Sequence, residues 1–392
     1  MKTVRCILKK GREKPLRAFH PWIFSGAIDL IEDDYQPGDL VSVLSHDEQF
    51  LGTGYLNPQS QISIRMFAFD DRTIDENFFS EKIRNALELR RRFLPPKTTG
   101  ARLIHSEGDF LPGLIVDRYG DFLIAQFLTA GMVVWKETVV ALLREMPGIQ
   151  GIYERSDAET RQQEGLEPET GVLWGEEPPE LVGFEENGLC FFADVREGQK
   201  SGFFYDQREN RMLVESLAAG KKLLNCFAYS GAFSVYAARG GAGRVVSVDS
   251  SAPALDLAKL HFEKNGFGTA DAACVREDVF RYLREDAEKF DFIILDPPAF
   301  CKKKDQVPHA ARGYKDINLM AMKKLVPGGL LLTASCSSFM DPLLFQKVVF
   351  SAAKDTGRLV RILKRTGHAV DHPLNIYHPE GEYLKALLCQ VL

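Results

Sequence analysis

Two short polar segments, each at the end of an apolar run, hold the side chains with the most evident chemistry. Phe290 to Leu295 leads into Asp296-Pro297-Pro298-Ala299-Phe300, and Leu330 to Ala334 leads into Ser335-Cys336-Ser337. Paired prolines stiffen an extended chain and remove amide donors, leaving a carboxylate and free carbonyls as acceptors. Such a group can receive hydrogen bonds from the exocyclic amine of a planar base. A buried free cysteine is usually inert, but Cys336 lies at a strand exit just before a helix, where a thiolate is favoured. Carbon 5 of cytosine or uracil is a poor nucleophile until a thiolate adds at carbon 6, after which it can attack a methyl sulfonium. The plainer alternatives are a structural strand exit at Asp296 and a small hydrophobe at Cys336.

A methyl donor needs its own site, and Leu223 to Asp249 has the pattern of one. An apolar strand runs into Asn225 and Phe227, a turn at Tyr229-Ser230-Gly231 opens a helix from Ala232 to Arg239, and Gly240-Gly241 ends it. Val245, Val246 and Val248 form a second buried strand with Asp249 at its carboxyl end. A dinucleotide site uses three glycines to bring amides onto a pyrophosphate. This loop has one glycine in that place but keeps a strand-end acid for a ribose. That combination suits S-adenosylmethionine, which has a ribose and an adenine but no phosphate. A β-α-β unit without ligand remains the alternative.

The elements that must position these groups follow in order. Helices are expected at Ala254 to Asn265, Asp316 to Val326 and Leu343 to Lys354. A strand at Ala273 to Arg276 delivers Glu277-Asp278-Val279, Pro327-Gly328-Gly329 reads as a turn, and the strands Val360 to Leu363 and Tyr383 to Val391 pair antiparallel at an edge. Four polar strand ends, Asp249, Asp278, Asp296 and Cys336, then share the crevice of an open α/β sheet. Residues 187–392 are assigned to this domain. Asn187-Gly188 is a hairpin turn, and Tyr205-Asp206-Gln207-Arg208 is either a helix cap or a clamp at the cofactor's edge. Upstream, residues 1–72 read as a small β-barrel of short strands, with a basic edge from Lys2 to Arg17 beside exposed Phe19 and Trp22. Residues 73–186 read as a small α+β domain. It holds helices at Ile74 to Phe93, ending in Arg90-Arg91-Arg92, and at Val133 to Met146, and an acidic connecting segment runs from Gln162 to Glu186.

The chain has 392 residues, 45% hydrophobic and 26% charged, with a net charge of -5, which disfavours a uniformly basic nucleic-acid binder but not a local basic face. No apolar run reaches the ~18 residues of a membrane span, and the first residues lack a signal-peptide core, so a cytoplasmic protein is expected. Seven scattered cysteines form no C-x-x-C pair and support neither a metal site nor a disulfide.

NCFAYSGAF (225–233), VVSVDSS (245–251), EDVF (277–280), LDPPAF (295–300), RGYKDIN (312–318), SCS (335–337) and DHP (371–373) occur in this order, with HPWIFSGAI (20–28) and YDQR (205–208) before them. Together they resemble the PUA-domain family of bacterial 23S ribosomal RNA 5-methylcytosine methyltransferases, over nearly the whole chain. The resemblance implies a multidomain α/β protein with an N-terminal PUA-like β-barrel, a central α+β domain and a C-terminal Rossmann-like class I methyltransferase sheet. It implies Cys336 as nucleophile and Asp296 as the base-contacting acid, with Pro297, Pro298 and Phe300 at the substrate. The cofactor contacts fall on Asn225, Phe227, Tyr229, Ser230 and Gly231, on Asp249 for the ribose and Asp278 for the adenine, and on Ser250, Val279, Gln207 and Asp296. Large-subunit ribosomal RNA is the implied partner, and a homodimer is allowed. Related two-cysteine enzymes carry a second cysteine directly after the motif proline. Ala299 stands there, Cys301 is two places off and receives no role, and the base that removes the carbon 5 proton is left unassigned. The competing readings are methylation of an exocyclic amine, a noncatalytic RNA-binding or assembly factor, and, more distantly, a nicotinamide oxidoreductase.

Overall fold

The computed structural model describes residues 3–32, 34–157, 159–198, 201–268 and 272–392. Lys2, part of the expected basic edge, lies outside them. The chain forms two compact units, one of Met1–Gly188, Ala193–Tyr205 and Val370–Gly381, the other of Leu189–Phe192, Asp206–Ala369 and Glu382–Leu392.

The first unit begins with six short strands, β1 (Thr3–Leu8), β2 (Trp22–Phe24), β3 (Ile28–Glu32), β4 (Leu40–Leu44), β5 (Phe50–Leu56) and β6 (Ile62–Ala68), ordered β2-β6-β5-β4-β1-β3. Their inward residues, among them Cys6, Ile23, Val41, Val43, Leu56 and Ile64, enclose one small core. Period-2 alternation gives each strand one apolar face to bury. A helix at Glu76–Phe93 follows, started by Asp75, whose carboxylate accepts from Phe78 N at 3.0 Å. A five-stranded sheet comes next, with β7 (Gly100–His105), β8 (Leu114–Tyr119), β9 (Phe122–Phe127), β10 (Gly151–Ser156) and β11 (Glu169–Gly175) in the order β11-β10-β9-β8-β7.

Several expectations in this unit need correction. Trp22 is half-buried, donating Nε1–H to Glu107 at 2.8 Å with its ring 4.3 Å from His378, whereas Phe19 is 47% exposed. Arg90 is buried in a two-pronged pair with Asp109 at 2.6 and 2.7 Å, so only Arg91 and Arg92 of that run face solvent. The expected helix over Val133 to Met146 is two, Ala130–Val134 and Lys136–Leu143, separated at Trp135. The acidic stretch from Gln162 to Glu186 is not merely connecting: β11 lies within it and pairs antiparallel with β10. It then continues into β12 (Val182–Glu186), and β13 (Leu189–Ala193) follows the Asn187-Gly188 turn, whose φ values of 54° and 75° suit a tight hairpin.

The second unit is a seven-stranded sheet of β14 (Lys222–Cys226), β15 (Arg244–Asp249), β16 (Ala272–Arg276), β17 (Phe290–Leu295), β18 (Leu325–Ser335), β19 (Val360–Thr366) and β20 (Lys385–Val391). Its order is β16-β15-β14-β17-β18-β20-β19, parallel through β18, with β20 antiparallel to both neighbours. The parallel strands are apolar on both faces because helices cover both, and Leu224, Val246, Val248, Ile293, Leu295 and Leu331 form the centre of the core. The order reverses between β14 and β17, which opens a crevice at their carboxyl ends. The helix expected from Asp316 starts earlier, spanning Val307–Lys324 with Pro308 in its first turn, where its missing N–H costs nothing. Pro327-Gly328-Gly329 is a bulge inside β18 rather than a turn between elements, since the register jumps from Phe290↔Leu325 to Phe292↔Leu330. Asp206 does not cap the Arg208–Leu217 helix; its carboxylate accepts from the Tyr383 hydroxyl at 2.7 Å.

Candidate active site

Strand register brings the expected residues to one edge of the second unit's sheet. Cys226 pairs with both Val248 and Leu295, Asp249 with Arg276, and Leu295 with Thr333. The residues that leave these strands are therefore level with one another.

On the donor side the chain turns sharply after β14. Phe227 and Tyr229 hold φ of 58° and 47°, and Gly231 holds 72° as it opens the helix Ala232–Arg239. Bulky residues rarely adopt this conformation, and local strain of this kind persists where the surroundings over-determine it. Asp249 supplies part of that restraint, accepting from Tyr229 N at 2.8 Å and Ser251 N at 2.9 Å. Below it, Asn225 donates to Ser234 Oγ at 2.9 Å, Ser234 and Ser247 hydroxyls lie 2.7 Å apart, and Asn225 Oδ1 is buried with no hydrogen-bond partner among the described residues. Asp278 is exposed and caps the Val279–Glu285 helix by accepting from Arg281 N at 2.9 Å. Val279 is buried in the core behind it, and Ser250 is exposed beside Asp249.

His261, which the sequence did not point to, is fully buried in the helix Ala252–Lys264. Its Nδ1 lies 2.8 Å from Ser230 O, and its Nε2 lies 2.9 Å from Phe192 N and 3.0 Å from Phe192 O; a proton on Nδ1 satisfies both Ser230 O and Phe192 N, whereas one on Nε2 would leave Phe192 N without this acceptor. Burial pushes its pKa down to about 4, keeping the ring neutral in that role. A single histidine in a helix gave no sequence signal, because its partners are backbone groups 31 and 69 residues away.

On the acceptor side, Gln207 donates to Asp296 Oδ1 at 2.8 Å, and Asn210 donates to Gln207 Oε1 at 2.6 Å. Gln207 thus meets the site through Asp296. Cys336 is half-buried with its thiol directed at Pro297 O, 3.8 Å away, while Pro298 is exposed. The serines flanking Cys336 converge on one phenol: Ser335 Oγ donates to Tyr314 OH at 3.0 Å, and Ser337 Oγ lies 3.0 Å from the same oxygen. This pins the short turn that carries the thiol. The Phe300 ring lies 4.6 Å from that of Tyr314, tilted by 40°, and Phe280 and Phe227 complete an aromatic cluster with ring separations of 6.0 to 6.4 Å. Tyr314 lies within RGYKDIN, so its segment was visible in the sequence but its role was not.

The residues present suit S-adenosylmethionine. The loop offers strained backbone and one glycine rather than a phosphate cradle, two carboxylates lie at neighbouring strand ends, and a buried amide oxygen on Asn225 is still unmatched. Among the described residues no cluster of His, Cys, Asp and Glu could hold a metal ion, and no helix is long and apolar enough to cross a membrane.

Residues 6–69 match the model of a PUA-like domain and residues 156–348 that of an S-adenosylmethionine-dependent methyltransferase. The chain is 47% identical to ribosomal RNA large subunit methyltransferase I of Photobacterium profundum, over 99% of this chain and 100% of that one. It is 46% identical to the protein of the same name from Aeromonas salmonicida, over 98% and 99%. Among solved structures, a putative SAM-dependent methyltransferase from Streptococcus mutans matches with a TM-score of 0.84 and 26% identity, covering 99% of this chain and all of that one. A putative methyltransferase complexed with SAH matches with a TM-score of 0.85 and 26% identity over the full length of both. The cofactor is therefore S-adenosylmethionine, and the chain belongs to the ribosomal RNA large subunit methyltransferase I family.

Proposed function

We propose that this enzyme methylates carbon 5 of a cytosine in large-subunit (23S) ribosomal RNA, with Cys336 as nucleophile. The observation that carries the reading is the juxtaposition of a half-buried thiol and the Asp296-Pro297 acceptors, with Cys336 Sγ 3.8 Å from Pro297 O. Asp296 and the Pro297 carbonyl would receive the exocyclic amine of the base, with Pro298 and Phe300 beside the ring. The Cys336 thiolate bonds to carbon 6, moving electron density to carbon 5. Bound S-adenosylmethionine would supply the methyl group to carbon 5 and depart as the neutral thioether. A base outside the residues assigned here, or water, then takes the carbon 5 proton; the C–H electron pair forms the carbon 5–carbon 6 double bond as the carbon–sulfur bond breaks and its electron pair returns to Cys336.

Asn225, Phe227, Tyr229, Ser230 and Gly231 would hold the methionine end of the cofactor, Asp249 and Ser250 its ribose, and Asp278 and Val279 its adenine. Gln207 would act by orienting Asp296. A base must leave its stack to reach a crevice thiol, so residues 1–72 and 73–186 are assigned to flanking RNA and 187–392 to the chemistry. The substrate places the enzyme in the cytoplasm, and a homodimer is part of the same proposal, checked by light scattering.

The test is a trap with RNA containing 5-fluorocytosine, in which carbon 5 carries no removable proton. The wild type should accumulate a covalent adduct and Cys336→Ser none. An adduct with Cys336→Ser, or N-methylated base formed by Cys336→Ala, overturns the proposal.

A further inference from the structure

We propose that Lys385 is the positioning residue that keeps Cys336 in its thiolate form, as the fixed positive charge of the acceptor half. The inference rests on Cys336 being the nucleophile. Lys385 opens β20 and pairs in register with Ser335, the residue before Cys336. It is buried, and its ammonium donates to Ser337 O at 2.6 Å and to Tyr383 O at 2.8 Å. One of those carbonyls belongs to the residue after the thiol, so the charge is tied to the turn that carries it. Both acceptors are neutral, and among the described residues no carboxylate lies within ion-pair distance of Nζ. A buried cation held only by neutral groups is costly unless an anion is supplied.

Cys336 is that anion. Of the charges that act on Lys385, the thiolate is the strongest, ahead of Glu382 and Asp341. Both acids are exposed, and Asp341 is already engaged as the cap of the helix Pro342–Thr356, accepting from Leu344 N at 2.8 Å. Burial lowers the Lys385 pKa to about 8, which leaves it mostly charged at neutral pH. The other groups facing the turn do not replace it. Tyr314 is shared between Ser335 and Ser337, and burial raises its pKa, so it stays neutral. Cys301 turns its thiol onto Lys303 O at 2.9 Å. Asp296, next to Pro297, is a carboxylic acid whose ionised form would oppose a thiolate rather than stabilise it.

Attraction between two groups is mutual, so an ammonium stabilised by the thiolate favours the thiolate over the thiol by the same amount. In the adduct the sulfur is a neutral thioether and Lys385 loses its counter-charge. The same arrangement therefore favours elimination at the end of the cycle.

The experiment follows alkylation of Cys336 by iodoacetamide against pH in the full-length protein without RNA, read by peptide mass spectrometry. Lys385→Gln, which keeps donors but no charge, should shift the inflection upward by about one unit and slow alkylation at neutral pH about tenfold. Lys385→Arg should restore the wild-type profile, and S-adenosylmethionine binding by calorimetry should be retained in both. A profile for Lys385→Gln that superimposes on the wild type overturns the inference. If Lys385→Gln does not fold, the ultraviolet thiolate absorbance of the wild type minus Cys336→Ser decides: no thiolate at neutral pH overturns it equally. The 5-fluorocytosine trap reports on the nucleophile and the alkylation profile on Lys385, so the two failures are distinguishable.

Discussion

Replacing Gly231 by alanine separates the backbone demand of the cofactor loop from its packing demand, because Gly266 provides a matched control. Gly231 has φ +72° and Gly266 has φ +73°, so an added methyl group imposes the same left-handed strain on both. At Gly266 the new Cβ meets nothing within 4 Å among the described residues. Its cost is the left-handed term of about 1–2 kcal/mol, partly offset by a stiffer unfolded chain, leaving about 1 kcal/mol. At Gly231 the Cβ would lie 2.7 Å from Ala258 Cβ and 3.3 Å from Ala258 Cα. That overlap forces the loop away from the Ala252–Lys264 helix and adds about 1–3 kcal/mol. The expected totals are about 1 kcal/mol for Gly266→Ala and about 2–4 kcal/mol for Gly231→Ala. All three tryptophans lie in the first unit, so fluorescence does not report here. Hydrogen exchange of the β14 and β15 amides does. Displacing the loop also moves Tyr229 N off Asp249 and Ser230 O off His261, so S-adenosylmethionine binding should weaken at least about tenfold in Gly231→Ala only, or about 1.4 kcal/mol. Adding Ala258→Gly should recover part of the loss, less about 1 kcal/mol for a glycine within a helix. Equal effects at the two glycines, within about 0.5 kcal/mol, would refute the packing argument.

Two further predictions concern buried charge. His261 has its pKa lowered from 6.5 to about 4, so the unfolded chain binds its proton more readily. Its contribution is present above pH 6.5 and is lost as pH falls toward 4, up to about 3 kcal/mol. Exchange protection of the second unit should fall across that window in the wild type and stay flat in His261→Gln. Removing Arg90 from its pair with Asp109 leaves a buried carboxylate without its cation, so Arg90→Met should destabilise the first unit by about 3–5 kcal/mol. Tryptophan fluorescence in denaturant measures this, and a change below about 1 kcal/mol would show that the pair is not structural.

The local features of the candidate site were legible because they depend on a few consecutive residues. Ala232–Arg239 and Phe290–Leu295 have the bounds their apolar spacing predicts, and each expected strand end is polar. Pattern failed where distant packing decided the outcome. The helix expected only from Asp316 begins at Val307 and takes in Pro308 and Gly313: Pro308 sits in the first turn, and Gly313 gives room to Phe300, 3.2 Å from where its Cβ would be. β11 reads as acidic linker because its pairing with β10, not its own composition, makes it a strand.

The sequence by itself determined which residue types could react: one thiol between serines, one acid before two prolines, and one acid after a single-glycine loop. Only the tertiary structure decided their surroundings. Gln207 reaches Asp296 across 89 residues, Lys385 reaches Ser337 across 48, and Asp371 accepts from Arg90 across 281. A side chain's charge state depends on burial and on the charges around it. Those are set by strand register and helix packing between segments far apart in the chain, which no local pattern encodes.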